Sequence, residues 1–408
     1  MKKIVTLMLA VLMVLSVVAC AQPTAPAPAE DPAVTAEPAK DEAATAEEPA
    51  AGVDLGDPTT VKSTDGQVLM PALTVKDFPE RPADPEALAE DDAGRYYDME
   101  YAGWDAATKE NIPESPADGP KGKKVIVIVH GDHPWTTAYQ NGLQKAADFF
   151  GMEIEYWSPN WDVNVQNQLI EQAINAAPDA IGLIPLNAES ATQQFRKINE
   201  AGIPVFGSNT LPTSDAMKYM VSWTGPDDWG QMRLLAGKLA TAMNNKGGVC
   251  YITHNAGTSP YFARTYGPIT EFKKIAPDIA TLDIQTPGFD AVACKQVVSD
   301  WITRFGDKLT AIFLADDSAQ AIGTIDALKE AGRTDVLVVA AGNSKQGMDL
   351  VKSGDLLAIN YQTAEGDGGA VVYSMAKFFA GQEVPAIGYL AQDIITTENV
   401  DGFYPPQW

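Results

Sequence analysis

The sequence predicts an α/β protein with two lobes, each a doubly wound parallel sheet with helices on both faces. Strand-like and helix-like segments alternate from Lys123 onwards, which is typical of parallel sheets connected by helices. The alternation restarts after a break near 224–226. Because the alternating part covers about 290 residues, more than one such layer normally holds, we expect two lobes.

In the first run, β-branched residues and helical periodicity indicate the individual elements. The continuous apolar run at 125–129 is typical of a strand buried on both faces. Apolar residues between 164 and 177 follow one stripe of a 3.6-residue period, which indicates a helix. The predicted order is strand 125–129, helix 138–150, strand 152–156, helix 164–177, strand 180–184, helix 191–201 and strand 203–207.

The second run repeats this rhythm without repeating the sequence of the first. Its elements are bounded by the same kinds of apolar run and helical stripe. The predicted order is helix 228–243, strand 248–253, helix 262–275, strand 281–285, helix 291–305, strand 311–314, helix 319–331 and strand 336–340.

The first twenty residues predict export and a lipid anchor. Lys2 and Lys3 precede an apolar run at 4–18 that is too short to span a bilayer comfortably, as in a signal peptide covering 1–19. The sequence at 17–20 resembles a bacterial lipobox, which implies that Cys20 is diacylated after cleavage. An ordinary signal peptide with a chance cysteine is the alternative. We expect an extracytoplasmic protein that is anchored to the membrane by lipid.

Two segments separate the anchor from the lobes. Residues 20–51 are almost all Ala, Pro, Glu, Thr and Asp, which predicts a disordered tether. Residues 52–121 form an acidic, proline-rich extension, and we expect its aromatic cluster at 96–104 to dock on a lobe. The net charge of −25 comes mostly from residues 21–118, which carry 23 acidic and 6 basic side chains. An acidic chain without a basic face argues against a nucleic-acid partner.

The two remaining cysteines leave two states open. Cys250 falls in a predicted strand and Cys294 in a predicted helix of the same lobe. An oxidising exterior permits a disulfide between them. The sequence favours the alternative, two separate buried thiols.

Several short motifs occur in one order along the chain, and each is weakly specific when taken singly. They are Asp162-x-Asn164-x-x-x-Gln168, 178–185, 201–205, 257–259 with Arg264 downstream, 288–290, 315–319, 341–343 and 397–400. Together they resemble the ribose- and galactose-type, or type I, periplasmic binding proteins over roughly 123–400.

The resemblance implies two lobes joined by a three-segment hinge. It suggests an N-lobe of 122–224 plus 363–388 and a C-lobe of 225–362 plus 389–408. It also places the ligand between the lobes at the carboxyl ends of the strands, which agrees with the general rule for open α/β sheets. Closure around a ligand is then a hinge motion, whose population the ligand shifts by contacting both lobes.

The loops after the strands contain the residue types that a sugar site needs. A sugar presents flat C–H faces and hydroxyls that donate and accept, so its pocket combines aromatic rings with Asp, Asn, Gln and Arg. By position in the family, Trp135 resembles an aromatic stacker, and His133 or Asp132 a hydroxyl partner. The predicted ligand-binding residues are Asp132, His133, Trp135, Asn209, Arg264, Phe289, Asp316, Asn343 and Gln362.

Structural roles are the alternatives for several of these residues. Asn343 and Gln362 could cap loops, and Phe289 could pack in the core. Asp316 or Asp317 could cap the following helix, and only one of the two is expected to face the ligand. Three tryptophans outside the set could also line the cleft, but packing is the favoured interpretation for them: Trp157, Trp161 and Trp223.

The sequence gives no support to catalysis, a cofactor or a metal site. The three histidines, at 130, 133 and 254, fall in loops on opposite sides of a moving cleft, which is a poor arrangement for zinc. A Ser-x-x-Lys pattern at 374–377 lies within a predicted amphipathic helix and lacks the accompanying motifs of that enzyme class. We therefore expect no enzyme.

The predicted function is capture of a small polar solute, most simply a monosaccharide, and its delivery by a monomeric lipoprotein to an ABC permease with its ATPase. The rival hypothesis is a sensor that reports ligand occupancy to a membrane receptor or kinase. Regulators of the lactose-repressor type share this fold, but the signal sequence and the missing basic helix-turn-helix exclude them.

Overall fold

The structure, a computed structural model, describes residues 53–102 and 108–408. The predicted signal peptide, Cys20 and the tether lie outside the described residues, as does Trp104 of the aromatic cluster. None of the described helices has the length and hydropathy that a membrane span requires.

Two six-stranded sheets organise the described chain. The strands are β1 Lys124–Ile128, β2 Glu153–Trp157, β3 Ala180–Leu183, β4 Val205–Ser208, β5 Ser222–Gly225, β6 Lys246–Ile252, β7 Asp278–Gln285, β8 Leu309–Leu314, β9 Leu337–Ala340, β10 Ala358–Asn360, β11 Ile387–Tyr389 and β12 Ile394–Ile395. The first sheet has the order β11-β5-β4-β3-β1-β2, and the second β12-β10-β9-β8-β6-β7. We call the part built on the first sheet the N-lobe and the part built on the second the C-lobe.

Helices connect the strands and cover the sheets. The α-helices are α1 Tyr97–Glu100, α2 Pro134–Phe150, α3 Val163–Ala176, α4 Ala188–Glu200, α5 Ser214–Met217, α6 Asp228–Ala242, α7 Ser259–Ile275, α8 Ala291–Phe305, α9 Ala319–Glu330, α10 Lys345–Ser353 and α11 Ala364–Phe379. Short 3-10 helices occur at Pro58–Thr60, Pro85–Ala87, Ala93–Tyr96, Gly306–Lys308 and Val400–Phe403.

The strand pairing is parallel throughout the first sheet, and in the second only the short β12 runs antiparallel to its neighbour β10. The chain passes between the sheets three times: after β5, after β10 and after β11. The predicted fold class, two parallel-sheet α/β lobes, is therefore confirmed.

Four short strands, β5, β10, β11 and β12, were not predicted. β10, β11 and β12 have only two or three residues, which is too short for a hydrophobic period to be recognised. β5 was missed for another reason: its last residues, Thr224 and Gly225, belong to the predicted break near 224–226, and Pro226 follows them directly.

The alternation of side chains along β1 builds the two faces of the N-lobe. Val125 and Val127 pack into one buried cluster, beneath α2 and α11. Ile126 and Ile128 point to the opposite face and pack into a second cluster, beneath α3 and α4. The sheet is thus covered on both sides, as the continuous apolar run predicted.

Residues of the N-terminal extension contact both lobes. Leu69 and Met70 are buried in the same cluster as α2 and α11 of the N-lobe. Tyr96 lies on the C-lobe, where its ring stacks on Tyr266 at 4.6 Å and lies 5.7 Å from the ring of Trp229. Tyr96 of the aromatic cluster therefore docks on the C-lobe, while the apolar segment before the cluster and Ala102 within it pack on the N-lobe.

The extension also touches the segments that pass between the lobes. Thr74 forms an antiparallel bridge with Tyr389, at the end of β11. Lys76 makes an ion pair with the buried carboxylate of Asp227, just before α6. Both contacts lie at crossing segments, so the extension accompanies the connections between the lobes.

Helix α11 corrects the prediction of an amphipathic helix around 374–377. Nearly all of its residues are buried, because α2 covers one side and the extension covers another. The helices approach so closely that a Cβ at Gly368 would lie 2.2 Å from the carbonyl oxygen of Tyr139, and one at Gly142 1.9 Å from that of Glu365. Glycine is therefore required at this helix contact.

We expect Gly368→Ala to destabilise the protein by about 1–3 kcal/mol or more, because the added methyl group forces two packed helices apart. The matched control is Gly237→Ala in α6, where a Cβ meets no atom within 4 Å. Alanine should stabilise that helix by up to about 1 kcal/mol. Urea unfolding of the three proteins measures both effects, and equal stabilities for the two variants would contradict the packing argument.

Candidate ligand-binding site

A cavity of about 600 Å³ lies between the two lobes, and its walls come from the carboxyl ends of strands in both sheets. The N-lobe contributes residues after β1, β2, β3 and β4, and the C-lobe residues after β6, β7, β8 and β10. This is the position in which parallel sheets place their ligands. The volume falls within the range that is usual for small-molecule sites.

Trp135 forms a firmly held aromatic wall on the N-lobe side. It is 7% exposed, lies in the first turn of α2 and stacks on Tyr139 at a ring distance of 5.2 Å. His133 caps the same helix, since its Nδ1 accepts a hydrogen bond of 3.1 Å from the Trp135 N–H. Among the described residues, the Nε1 of Trp135 has no hydrogen-bond partner although it is buried.

Trp161 lines the cavity, although the sequence placed it among the packing residues. It is 50% exposed, and its ring stacks on the ring of His130 at 4.9 Å. The backbone N–H of Trp161 donates a hydrogen bond to the His130 carbonyl. The turn that brings it there has a left-handed backbone at Asn160 and Trp161, which periodicity does not reveal. A Cβ at Gly131 would lie 2.3 Å from the Trp161 ring, so glycine makes room for it.

Asn209 is held in the cavity wall by a buried carboxylate that was not identified from the sequence. Its Nδ2 donates a 2.7 Å hydrogen bond to Oδ2 of Asp367, in the first turn of α11. The backbone of Asn209 is left-handed, with φ of 57°, a conformation that asparagine tolerates better than most residues. Desolvation by burial raises the pKa of Asp367 to about 8, although the bond from Asn209 opposes this.

Arg264 is fixed by groups on three elements of the C-lobe. Its Nε donates to Asp228 at 3.1 Å, Nη1 to the Ala315 carbonyl at 2.9 Å and Nη2 to Oε1 of Gln362 at 3.0 Å. Three of the five guanidinium N–H donors are thus used within the protein, and both Arg264 and Gln362 line the cavity. A rigid donor is therefore presented to the cavity.

The neighbouring acids Asp316 and Asp317 have different surroundings. Asp316 lines the cavity, and its carboxylate accepts hydrogen bonds from the backbone and hydroxyl of Ser318 before α9. Asp317 is fully buried and accepts from the backbone N–H of Ser344. Burial raises the pKa of both carboxyls. Asp316 thus combines a capping role with a place in the wall.

Phe289 is an exposed aromatic edge of the cavity rather than a core residue. It is 43% exposed and meets the ring of His254 edge-on at 4.9 Å. Trp135 and Phe289 therefore supply aromatic surfaces from the two opposite lobes. Such surfaces fit the C–H faces of a ring-shaped or extended polyol.

Two predicted residues do not line the cavity. Asp132 is exposed beside it. Asn343 is buried behind Gln362, whose backbone N–H donates to the Asn343 Oδ1 at 3.2 Å. The Nδ2 of Asn343 has no hydrogen-bond partner among the described residues. A ligand contact by these two residues stays a prediction.

The histidines in the cavity wall are neutral at physiological pH. Burial lowers the pKa of His130 to about 4 and that of His254 to about 3. Arg264 is paired with Asp228, so its charge is largely compensated. The cavity therefore suits an uncharged polar molecule better than an anion.

The two cysteines are separate thiols in the structure, the state that the sequence favoured. Cys250 lies in β6 and Cys294 in α8, and both are free and buried. Burial raises their pKa values to about 12 and about 11, so the thiols stay protonated. No group of three or more metal-ligating side chains converges within the described residues.

Comparison with known families decides the classification. The model of the periplasmic binding protein domain matches residues 124–383, which span both sheets. The chain belongs to this family. It is therefore an extracytoplasmic solute-binding protein rather than an enzyme, as the sequence predicted.

Curated relatives within the periplasmic binding protein family share about a quarter of the sequence. A xylitol-binding protein of Mycolicibacterium smegmatis is 28% identical over 283 residues, which are 68% of this chain and 78% of that protein. The ribose import binding protein of Escherichia coli is 23% identical over 261 residues, or 64% of this chain and 86% of that protein.

Solved structures of binding proteins have the same fold. A solute-binding protein of Bacillus halodurans with bound myo-inositol has a TM-score of 0.64 and 23% identity, and the match covers 71% of this chain and 99% of that one. A periplasmic binding protein of Actinobacillus succinogenes with bound D-allose has a TM-score of 0.63 and 20% identity, and covers 69% and 100%.

Replacing Asp367 by asparagine should change how stability depends on pH. Between its ordinary pKa of 3.8 and about 8, the folded protein binds more protons at this site than the unfolded chain. Because of Asp367, the free energy of unfolding of the parent protein therefore falls as the pH rises through that window. We expect the free energy of unfolding of Asp367→Asn, relative to the parent, to increase from pH 5 to 8 by at most about 1.4 kcal/mol per unit.

Asp349→Asn is the matched control for that measurement. Hydrogen bonds from Lys345 and Tyr404 lower the pKa of Asp349, so its contribution to stability should not change between pH 5 and 8. Denaturant unfolding at several pH values measures both differences. Parallel curves for Asp367→Asn and the parent would refute the assignment of a protonated buried carboxyl.

Proposed function

We propose that this protein binds an uncharged polyhydroxylated molecule, a monosaccharide or a sugar alcohol, between its lobes. The observation that carries the proposal is the pairing of aromatic surfaces with fixed polar groups around one cavity. Trp135 and Phe289 offer apolar faces, while Asn209, Arg264 and Asp316 offer donors and acceptors from both lobes. Neutral histidines and a compensated Arg264 disfavour an anionic ligand.

The names of relatives support the same ligand class. The relatives include binding proteins for xylitol, D-apiose and ribose, and the similar structures contain myo-inositol and D-allose. All of these molecules are uncharged and rich in hydroxyl groups. Each of their hydroxyl groups can donate and accept hydrogen bonds. Amide, carboxylate and guanidinium side chains together provide the matching acceptors and donors.

We further propose that the protein works as a monomer and delivers its ligand to an ABC permease with its ATPase. Relatives named as import binding proteins support transport over sensing. The lobes would be 122–224 plus 363–388 and 225–362 plus 389–408, and the three passages between the sheets support this division. Diacylated Cys20 and a tether of 20–51 would anchor the protein, an inference that rests on the sequence alone.

A thermal-shift panel tests the ligand class. Xylitol, D-ribose and myo-inositol serve as uncharged probes and L-glutamate as a charged control, each at millimolar concentration. A ligand that binds only the folded state raises the melting temperature. We expect at least one uncharged probe to raise it and L-glutamate to leave it unchanged. A shift with L-glutamate alone would contradict the proposal.

The variant Phe289→Ala tests whether that binding takes place in the cavity between the lobes. Because Phe289 is half-exposed, its loss should leave the fold intact, yet removing an aromatic contact with the ligand should weaken binding about tenfold. The matched control is Phe149→Ala, a similarly exposed ring on α2 outside the cavity, which should bind as the parent does. Calorimetric titration with the active probe measures both, and equal affinities would remove Phe289 from the site.

A further inference from the structure

Trp408 connects the two lobes at the wall of the cavity. The segment that carries it belongs to the C-lobe, because Val400 and Phe403 pack in the buried cluster beneath α8 and α9. The Trp408 ring, however, packs against the N-lobe cluster around α2, and lies 5.9 Å from the ring of His133. A side chain from one lobe thus covers the edge of the other.

The backbone of Trp408 is fixed on the C-lobe while its ring reaches across. Its carbonyl oxygen accepts a 2.7 Å hydrogen bond from the N–H of Lys345, at the start of α10. Opening of the lobes would therefore separate the Trp408 ring from His133, or pull the carbonyl from α10. The contact exists only when the lobes are close together.

The residue before it is held by two separate parts of the chain, the extension and the segment 361–365. The Gln407 Nε2 donates to Asp65 of the extension and to the Thr363 hydroxyl, both at 2.9 Å. Its Oε1 accepts from the backbone N–H of Glu365 at 2.9 Å. Asp65 also accepts from the Tyr361 hydroxyl, on the second crossing segment. Gln407 therefore ties this segment to the extension and to a connection between the lobes.

The indole groups of Trp408 and Trp135 leave two buried donors in the cavity wall. Both side chains line the cavity, and neither Nε1 has a hydrogen-bond partner among the described residues. Trp135 itself is more than nine-tenths buried. Neither nitrogen is accessible from the cavity, so the surface that these two residues offer to a solute is the apolar ring.

We propose that Trp408 is a ligand-contacting wall of the interlobe site, with Gln407 as its positioning residue. Its ring covers a C–H face of the solute. Because it contacts the solute and the opposite lobe together, Trp408 slows release of the bound molecule. This inference rests on the proposed binding of an uncharged polyhydroxylated ligand.

Four variants of the full chain separate these roles. Trp408→Ala removes the ring, Trp408→Phe keeps a smaller aromatic ring, and Gln407→Ala removes the anchor. Tyr404→Phe is the control on the same segment, since it loses only a hydroxyl that bonds to Asp349 outside the cavity. Melting temperatures without ligand show that each variant folds.

Calorimetry and stopped-flow release with xylitol, D-ribose and myo-inositol give the first readout. We expect Trp408→Ala to bind the active probe at least tenfold more weakly than the parent and to release it faster. The affinity and release rate of Trp408→Phe should lie between those of Trp408→Ala and the parent. Gln407→Ala should release faster with a smaller loss of affinity, and Tyr404→Phe should match the parent. Unchanged binding by Trp408→Ala would overturn the proposal. Tighter binding would also overturn it, and would show that the Trp408 side chain occupies space that the ligand needs.

A second readout does not depend on the identity of the ligand. Each protein is purified without added solute and denatured, and the released compounds are quantified by mass spectrometry. A charged compound that the parent retains and Trp408→Ala loses would support Trp408 while rejecting the polyhydroxylated ligand. If the parent and Trp408→Ala retain equal amounts of a polyhydroxylated compound, the role of Trp408 is rejected and the proposed ligand class stands. A parent that retains nothing and binds none of the three probes would overturn both proposals.

Discussion

The buried contact between Arg264 and its partners is the constraint on which the site depends. Asp228 begins α6 just after the first passage between the sheets, and Gln362 lies on the second passage. Arg264 joins both to the end of β8 and to the cavity wall. Removal of one partner of such a pair would leave a buried charge uncompensated, which is strongly destabilising. The ligand wall and the connections between the lobes are therefore built from the same interaction.

The overall architecture followed from local patterns because each long element carries its own signal. The apolar run of β1 and the stripe of α3 need no distant contact to be recognised. The rule that ligands lie at the carboxyl ends of parallel strands then indicated the segments after β1, β6 and β7, which hold Trp135, Arg264 and Phe289. All three lie on the cavity wall.

The remaining site residues depend on contacts between distant segments. Asp367 is an ordinary residue in the first turn of a helix, and only tertiary packing puts it beneath Asn209. Trp161 reaches the cavity through a left-handed turn, and Trp408 through its own hydrogen bond with α10 and that of Gln407 with the extension. No spacing or period in the sequence encodes these placements. The burial of α11 was mispredicted for the same reason, since the extension covers it.

Hydrogen–deuterium exchange with the probe that raises the melting temperature tests the central claim most directly, because it reports which backbone segments a solute stabilises. Binding between the lobes predicts simultaneous protection of 130–136 in the N-lobe and of 254–264 and 315–318 in the C-lobe. Protection confined to one lobe, or lying away from the cavity, would contradict the account.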